Sequence, residues 1–301
     1  QRDGRYGMAV DGEAWDTDFS DISYCALSPS GARTAAAVQV RPVDSGQIHQ
    51  FQEGTYSASV DGSPWDATFV NVWELSFSGD ERRVAAGVRL DLYNYTIAVD
   101  GLVWDRTYGC VWSPSFHPAT DSVVVPVRQA GRWFMAQDDR ILWDRPFIQL
   151  WQQKFNSDGT SLAAICAESY GRWTVVVDGV PWSSSFSDMV TDLTFGNGGK
   201  RVAALARDGS GWRIAVDDRV WSHVFDMAWC PVFAPDDGSV AAKVEKNGRY
   251  TFVVNDRVMD QDFDLAWDPQ FSPDGKLLLL RFMEGGAYQR KVVPVKDMAF
   301  R

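Results

Sequence analysis

A tryptophan recurs at Trp15, Trp65, Trp104, Trp143, Trp182 and Trp221, with Met259 completing the series, at intervals of 50, 39, 39, 39, 39 and 38 residues. A period of this length constrains the fold more than any local pattern does. It means that one supersecondary unit is repeated and that each copy covers its neighbour. Four residues after each anchor stands an aromatic: Phe19, Phe69, Tyr108, Phe147, Phe186, Phe225 and Phe263. Eight residues after it come Trp73, Trp112, Trp151, Trp229 and Trp267, with Ser23 and Val190 in the remaining two copies. A Phe or Leu follows, then a turn of the type "FSPDGK" (271–276), then a small apolar run such as Val84-Ala85-Ala86, and the unit closes on "GRWTVVVDG" (171–179) or a relative of it. Trp133, Trp173 and Trp212 follow the glycine of that last segment, so these frames hold all 14 tryptophans.

Apolar residues alternate over five or six positions between Gly, Pro, Asp and Asn, and no stretch shows helical spacing over a dozen residues. Thirty-nine residues accommodate four short strands with their turns, which is one blade of a β-propeller. The expected fold is therefore an all-β, seven-bladed propeller with four antiparallel strands per blade, occupying residues 1–301 as a single domain. From the axis outward, the strands of a blade read "WSPSF", "VAA", "RWTVVV" and "DGxxWDxxF". Anchor and following aromatic share one face of the outer strand and seal one blade against the next. The third-strand segment occurs both at 4–12 and at 286–295, so a strand from each terminus is expected to clasp the last blade, with either copy able to supply its third strand.

In this scheme one end of the blades carries the later tryptophans, the acidic loop residues Asp21, Asp188, Asp226 and Asp264, and an insertion of 11 residues around "RPVDSGQIHQFQEG" (41–54) that contains His49. Trp73, Trp112, Trp151, Trp229, Trp267, Asp188, Asp226, Asp264 and His49 are the candidate partner-binding residues. Indoles supply interface anchors and carboxylates supply steering; the competing role of the tryptophans is to set the spacing of the blades.

Enzymatic chemistry has little material. Three histidines (His49, His117, His223) on different repeats offer neither a metal site nor a nucleophile–base pair, and no catalytic or cofactor-binding residue is assigned. Glu74, Asp192 and Asp268 are the carboxylates available on the first strands for glycoside chemistry, on non-adjacent blades. The Asp-Gly pairs at Asp11, Asp61, Asp100 and Asp178 suit tight hairpins better than calcium. Four scattered cysteines (Cys25, Cys110, Cys166, Cys230) form no framework and read as buried thiols, which favours a cytoplasmic home. The chain opens on Gln1, so a signal peptide is neither seen nor excluded, and a periplasmic location stays open. A net charge of −11 disfavours nucleic acid, and no apolar run is long enough to cross a membrane as a helix.

The "SPDGK" turn at 272–276 and the Ala-rich second strands resemble the TolB-like and WD-repeat-like propellers, a group that mostly binds proteins. The "VDGxxWDxxF" unit resembles more closely the tryptophan-rich (TmcD) subunit family of the Tmc transmembrane redox complex of sulfate-reducing bacteria. That resemblance implies a cytoplasmic, cofactor-free propeller whose partners are the other protein subunits of a membrane electron-transfer complex. The expected function is thus a non-enzymatic interaction subunit; the alternative is a solute- or carbohydrate-binding propeller, hydrolytic or not, that uses its channel.

Overall fold

Strand-forming alternation and turn residues build a nearly continuous succession of antiparallel meanders. The computed structural model describes residues 4–42, 49 and 52–301, and the chain divides into two units, Gln1–Pro146 and Phe147–Arg301. In the first unit a hairpin (Ala9–Val10 with Glu13–Ala14) precedes three sheets. Sheet I comprises Ile22–Leu27, Thr34–Gln39, Tyr56–Val60 and Ser63–Pro64, and sheet II comprises Asn71–Phe77, Val84–Arg89, Tyr95–Val99 and Leu102–Val103. Sheet III has a first strand in two pieces, Cys110–Val111 and Ser115–Phe116, followed by Val123–Gln129, Arg132–Gln137 and Arg140–Phe147.

The second unit holds four sheets. Sheet IV is Gln149–Phe155, Leu162–Ser169, Arg172–Val177 and Val180–Pro181; sheet V is Met189–Phe195, Val202–Asp208, Gly211–Val216 and Arg219–Val220. Sheets VI and VII again have split first strands, Met227–Ala228 with Val232–Phe233 and Leu265–Ala266 with Gln270–Phe271. Sheet VI continues with Val240–Lys246, Arg249–Val254 and Arg257–Val258, and sheet VII with Leu277–Glu284 and Ala287–Pro294. A 3₁₀ turn, Val295–Asp297, follows the last strand of sheet VII.

The second strands are the cores of the sheets. Ala35, Ala36 and Ala37, Ala85 and Ala86, Ala163 and Ala164, Ala203 and Ala204, and Ala241 and Ala242 are all fully buried, because a central strand covered on both faces has room only for small side chains. The aromatics four residues after the anchors are buried in every copy and pack on the sheet that follows, as Phe69 does on Ala86 and Val88 of sheet II and Phe225 on Val244 of sheet VI.

The hairpins between third and fourth strands are type I′. Both central residues have positive φ, as at Asp61 (50°) and Gly62 (84°) or Asp217 (52°) and Asp218 (63°). The first residue of each turn accepts the N–H that opens the second strand of its own sheet at 2.8 Å: Thr34 to Asp61, Val84 to Asp100, Val123 to Asp138, Leu162 to Asp178, Val202 to Asp217 and Val240 to Asn255. The second residue serves the preceding sheet. Glycine there makes room for an anchor indole, since a methyl group at Gly62 would come within 3.2 Å of Trp15. Aspartate there uses its carboxylate instead: Asp218 accepts from the N–H groups of Ser183 (2.8 Å) and Ser184 (2.9 Å), and Asp256 from that of Ser222 (2.7 Å).

One expectation of register needs correction. Val190 does not occupy the later tryptophan position of sheet V. Thr191 does, pairing with Leu205 as Trp151 pairs with Ile165, because one extra residue sits in the loop before Met189. At the termini, the C-terminal copy forms the third strand of sheet VII. Ala287–Pro294 pairs with Leu277–Glu284 over all eight residues, whereas Ala9–Val10 pairs, among the described residues, within its own hairpin. The C-terminal copy wins the third-strand place because it closes through a two-glycine turn, Gly285-Gly286, at minimal loop entropy.

Candidate functional site

The end of each sheet opposite the Asp-Gly hairpins carries the residues singled out by the sequence. Trp73, Trp112, Trp151, Trp229 and Trp267 all sit on first strands or just beyond them and reach across the second strand to an aromatic on the third strand of the same sheet. The ring centroids lie 5.8 Å apart for Trp73–Tyr95, 5.2 Å for Trp112–Trp133, 4.9 Å for Trp151–Trp173, 5.7 Å for Trp229–Tyr250 and 5.4 Å for Trp267–Tyr288. Such pairs add roughly 0.5–1.5 kcal/mol beyond burial. The spacing of 21 or 22 residues between partners was present in the sequence and is the signal that identifies them. Gly87 makes the crossing possible in sheet II, where a methyl group would approach the Trp73 ring to 2.7 Å.

Where no indole is present, the third-strand aromatic takes a polar neighbour. The Tyr56 hydroxyl donates to Asp21 at 3.1 Å, and the Arg207 guanidinium lies 5.9 Å from the Trp212 ring centre. Burial first, and Asp21 second, push the Tyr56 hydroxyl above its ordinary range.

The acidic residues are engaged. Asp226 accepts the Asn247 N–H at 2.7 Å and faces Lys246 at 3.5 Å, fastening the hairpin of its own sheet, and the Asn247 N–H holds its carboxyl below the usual range. Asp264 accepts the Gly285 N–H at 2.8 Å and pairs with Arg249, which also bridges to Glu284. Asp188 is the loosest, 4.0 Å from Arg207, with the Ser187 hydroxyl donating to it at 2.9 Å. His49 is exposed and its carbonyl accepts the Glu53 N–H at 3.1 Å; most of the insertion around it lies outside the described residues.

Sequence reasoning missed the apolar residues beside these carboxylates. Met189, Met227 and Leu265 directly follow Asp188, Asp226 and Asp264 and begin the first strands of sheets V, VI and VII, where they are 41%, 39% and 45% exposed. Trp267, at 40%, adds an indole to the same region of the second unit, and Trp112, at 42%, does so in the first. The signal for this row was the recurring Asp-Met, Asp-Met, Asp-Leu dipeptide.

The residue after the tryptophan position is special in every sheet. In sheets I, II, IV and V it is a bulge residue with positive φ: Tyr24 (49°), Glu74 (53°), Gln152 (51°) and Asp192 (53°). In sheets III, VI and VII it is Ser113, Cys230 or Asp268, followed by a proline that lacks the ladder donor and splits the strand. Neighbouring members meet: the Ser113 hydroxyl donates to Glu74 at 2.9 Å. In the second unit Asp268 pairs with Lys243 at 3.2 Å, and the same ammonium lies 4.2 Å from the centre of the Trp229 ring. Burial pushes the Cys230 thiol up, with Asp192 adding, Lys154 opposing and Asp268 adding again, so Asp192 and Asp268 both act on the thiol of the sheet between theirs.

Of the four thiols only Cys166 is buried; Cys110 is half-buried, and Cys25 and Cys230 are exposed, because first-strand bulges and loops turn them out of the core. Among the described residues, no group of three His, Cys, Asp or Glu side chains could hold a metal ion, and no helix is long and apolar enough to cross a membrane.

The chain resembles solved structures at low identity. A crystal structure of the eukaryotic initiation factor superposes with a TM-score of 0.52 at 14% identity, covering 97% of this chain and 80% of that one. TolB from Acinetobacter baumannii gives 0.38 at 15% identity over 83% of this chain and 62% of that chain, and the Dos1 propeller gives 0.43 at 10% over 90% and 92%. At these identities the likeness concerns fold alone. No family model and no curated protein sequence matches the chain. The repeated four-stranded antiparallel sheet is the unit from which β-propeller blades are made.

Proposed function

We propose that the chain is a seven-bladed propeller acting as a non-enzymatic protein-interaction subunit, in the cytoplasm and without a cofactor of its own. The observation that carries this reading is the exposed row Met189, Met227 and Leu265, repeated at equivalent positions of three successive sheets next to carboxylates that are already satisfied. Unbranched, polarisable methionines adapt to a partner's surface, and aromatic anchors such as Trp267 supply the energetic centre of an interface. The tryptophan-loaded repeat supports a narrower assignment within it, a subunit of a membrane-associated electron-transfer complex.

The test is quantitative affinity isolation of the chain and of a Met189→Asp/Met227→Asp/Leu265→Asp variant from native cells. The reading expects specific proteins, redox-complex subunits among them, to be enriched by the parent chain and to fall at least tenfold with the variant at unchanged melting temperature. Equal recovery by both chains would refute it.

A further inference from the structure

The row of residues that follows the tryptophan position contains, in the second unit, two ways of handling opposite charges. Between sheets VI and VII the charges are closed on each other: Asp268 and Lys243 pair at 3.2 Å, the Lys243 side chain is only 12% exposed, and its ammonium lies on the Trp229 ring. Asp268 is tied down further by Arg281, which donates to its carbonyl at 3.2 Å. Between sheets IV and V the charges are left open. Asp192 stands at the bulge of sheet V, and Lys154 resumes the ladder just past the bulge of sheet IV; among the described residues neither side chain has a hydrogen bond or an ion pair, nor does the side-chain amide of Gln152 at the bulge of sheet IV. The two strands that carry them, Gln149–Phe155 and Met189–Phe195, pack against each other, and both charges act on the same Cys230 thiol. Asp192 is exposed, yet the burial that remains pushes its carboxyl up.

Oppositely charged side chains on packed neighbouring strands ordinarily close on each other when their geometry allows, as Lys243 and Asp268 do. Held apart, they form a complementary pair of poles. We propose that Asp192, Lys154 and Gln152 form a binding site for a small zwitterion of the α-amino-acid type, with its ammonium on Asp192, its carboxylate on Lys154 and Gln152 bonding to either. Gln152 and Asp192 stand at the bulges, Lys154 stands just past one, and all three are exposed, so a ligand with both charges satisfies both poles without moving either strand. A simple anion or cation would answer one pole and leave the other. A sugar would answer neither charge. The site uses none of Met189, Met227 and Leu265, so it stands or fails separately from the docking surface.

Isothermal titration calorimetry of the full chain against the twenty free α-amino acids, with glucose and galactose as the neutral class, tests the proposal. The expected result is saturable heat with at least one amino acid, weakened at least tenfold in both Asp192→Asn and Lys154→Met, and no heat with the hexoses. Both side chains are exposed, so the variants should keep the parent's circular dichroism and melting temperature. Absence of heat with every amino acid, heat with the hexoses alone, or amino-acid binding that persists unchanged in either folded variant would overturn it.

Discussion

The two ends of each sheet are built on opposite principles. At the Asp-Gly end nearly every polar group is spent on structure: the first turn residue fastens its own second strand, and the second reaches the preceding sheet, as Asp218 does with Ser183 and Ser184. The turn after the first strand adds further ties, with Glu81 accepting from the Ser30 N–H at 2.5 Å and Asp237 from the Asn197 N–H at 2.6 Å. At the other end the carboxylates mostly serve the hairpin of their own sheet, as Asp226 does, and leave Met189, Met227, Leu265 and the half-exposed indoles uncovered. One end holds successive sheets together, and the other presents a surface. The same repeat can do both because a blade's ends are made by different loops, which vary independently of the strands.

This contrast can be broken or sharpened in four ways. The largest effect is expected at the shared core: Phe263→Ala removes a fully buried ring stacked on Phe282 at 4.0 Å and should cost about 3–5 kcal/mol in denaturant unfolding. Next comes Gly87→Val, which drives a side chain into the Trp73 ring; a loss of about 1–3 kcal/mol is expected, together with a changed near-ultraviolet circular dichroism spectrum as the indole is displaced. Asp218→Ala should cost about 1–2 kcal/mol by leaving the Ser183 and Ser184 N–H groups uncapped. Smallest are Met227→Asp and Leu265→Asp, which should change stability by no more than about 0.5 kcal/mol, as ordinary surface substitutions do.

Acid provides a related check. Burial works to raise the Asp218 carboxyl and is outweighed by the Ser183 and Ser184 N–H groups, so its folded-state value lies below the usual one. Its contribution to stability is therefore complete above the ordinary carboxylate range near pH 4 and is lost as the pH falls through the depressed folded value. The parent should lose stability in that window faster than Asp218→Ala does.

Much of this architecture was legible in the sequence because it rests on positions that accept only a few residue types. The period of the anchors, the buried aromatic four residues later, the alanines of the second strands and the Asp-Gly hairpins each follow from a single steric demand. Other features follow from position in the assembled sheet, and composition does not mark them. Tyr24, Glu74, Gln152 and Asp192 share one left-handed bulge though nothing chemical unites them, so the backbone geometry had no residue signature. The extra residue before Met189 shifted the register of sheet V and hid Thr191 behind Val190. The competition between two third-strand copies was visible, and the copy that fills the place in sheet VII is the one joined to its second strand by a short glycine turn, at little cost in loop entropy. The candidate surface was half legible: the carboxylates and indoles stood out by type, whereas the methionines beside them looked like ordinary strand residues until their exposure was known.

The division of labour between the two ends is tested most directly by urea unfolding of two triple variants side by side. Asp217→Ala/Asp218→Ala/Asp237→Ala removes ties at the hairpin end, and Met189→Asp/Met227→Asp/Leu265→Asp alters the open end. A loss of about 2–4 kcal/mol in the first and less than about 1 kcal/mol in the second is predicted from the capping and surface magnitudes. Equal losses, or a greater loss in the second variant, would contradict it.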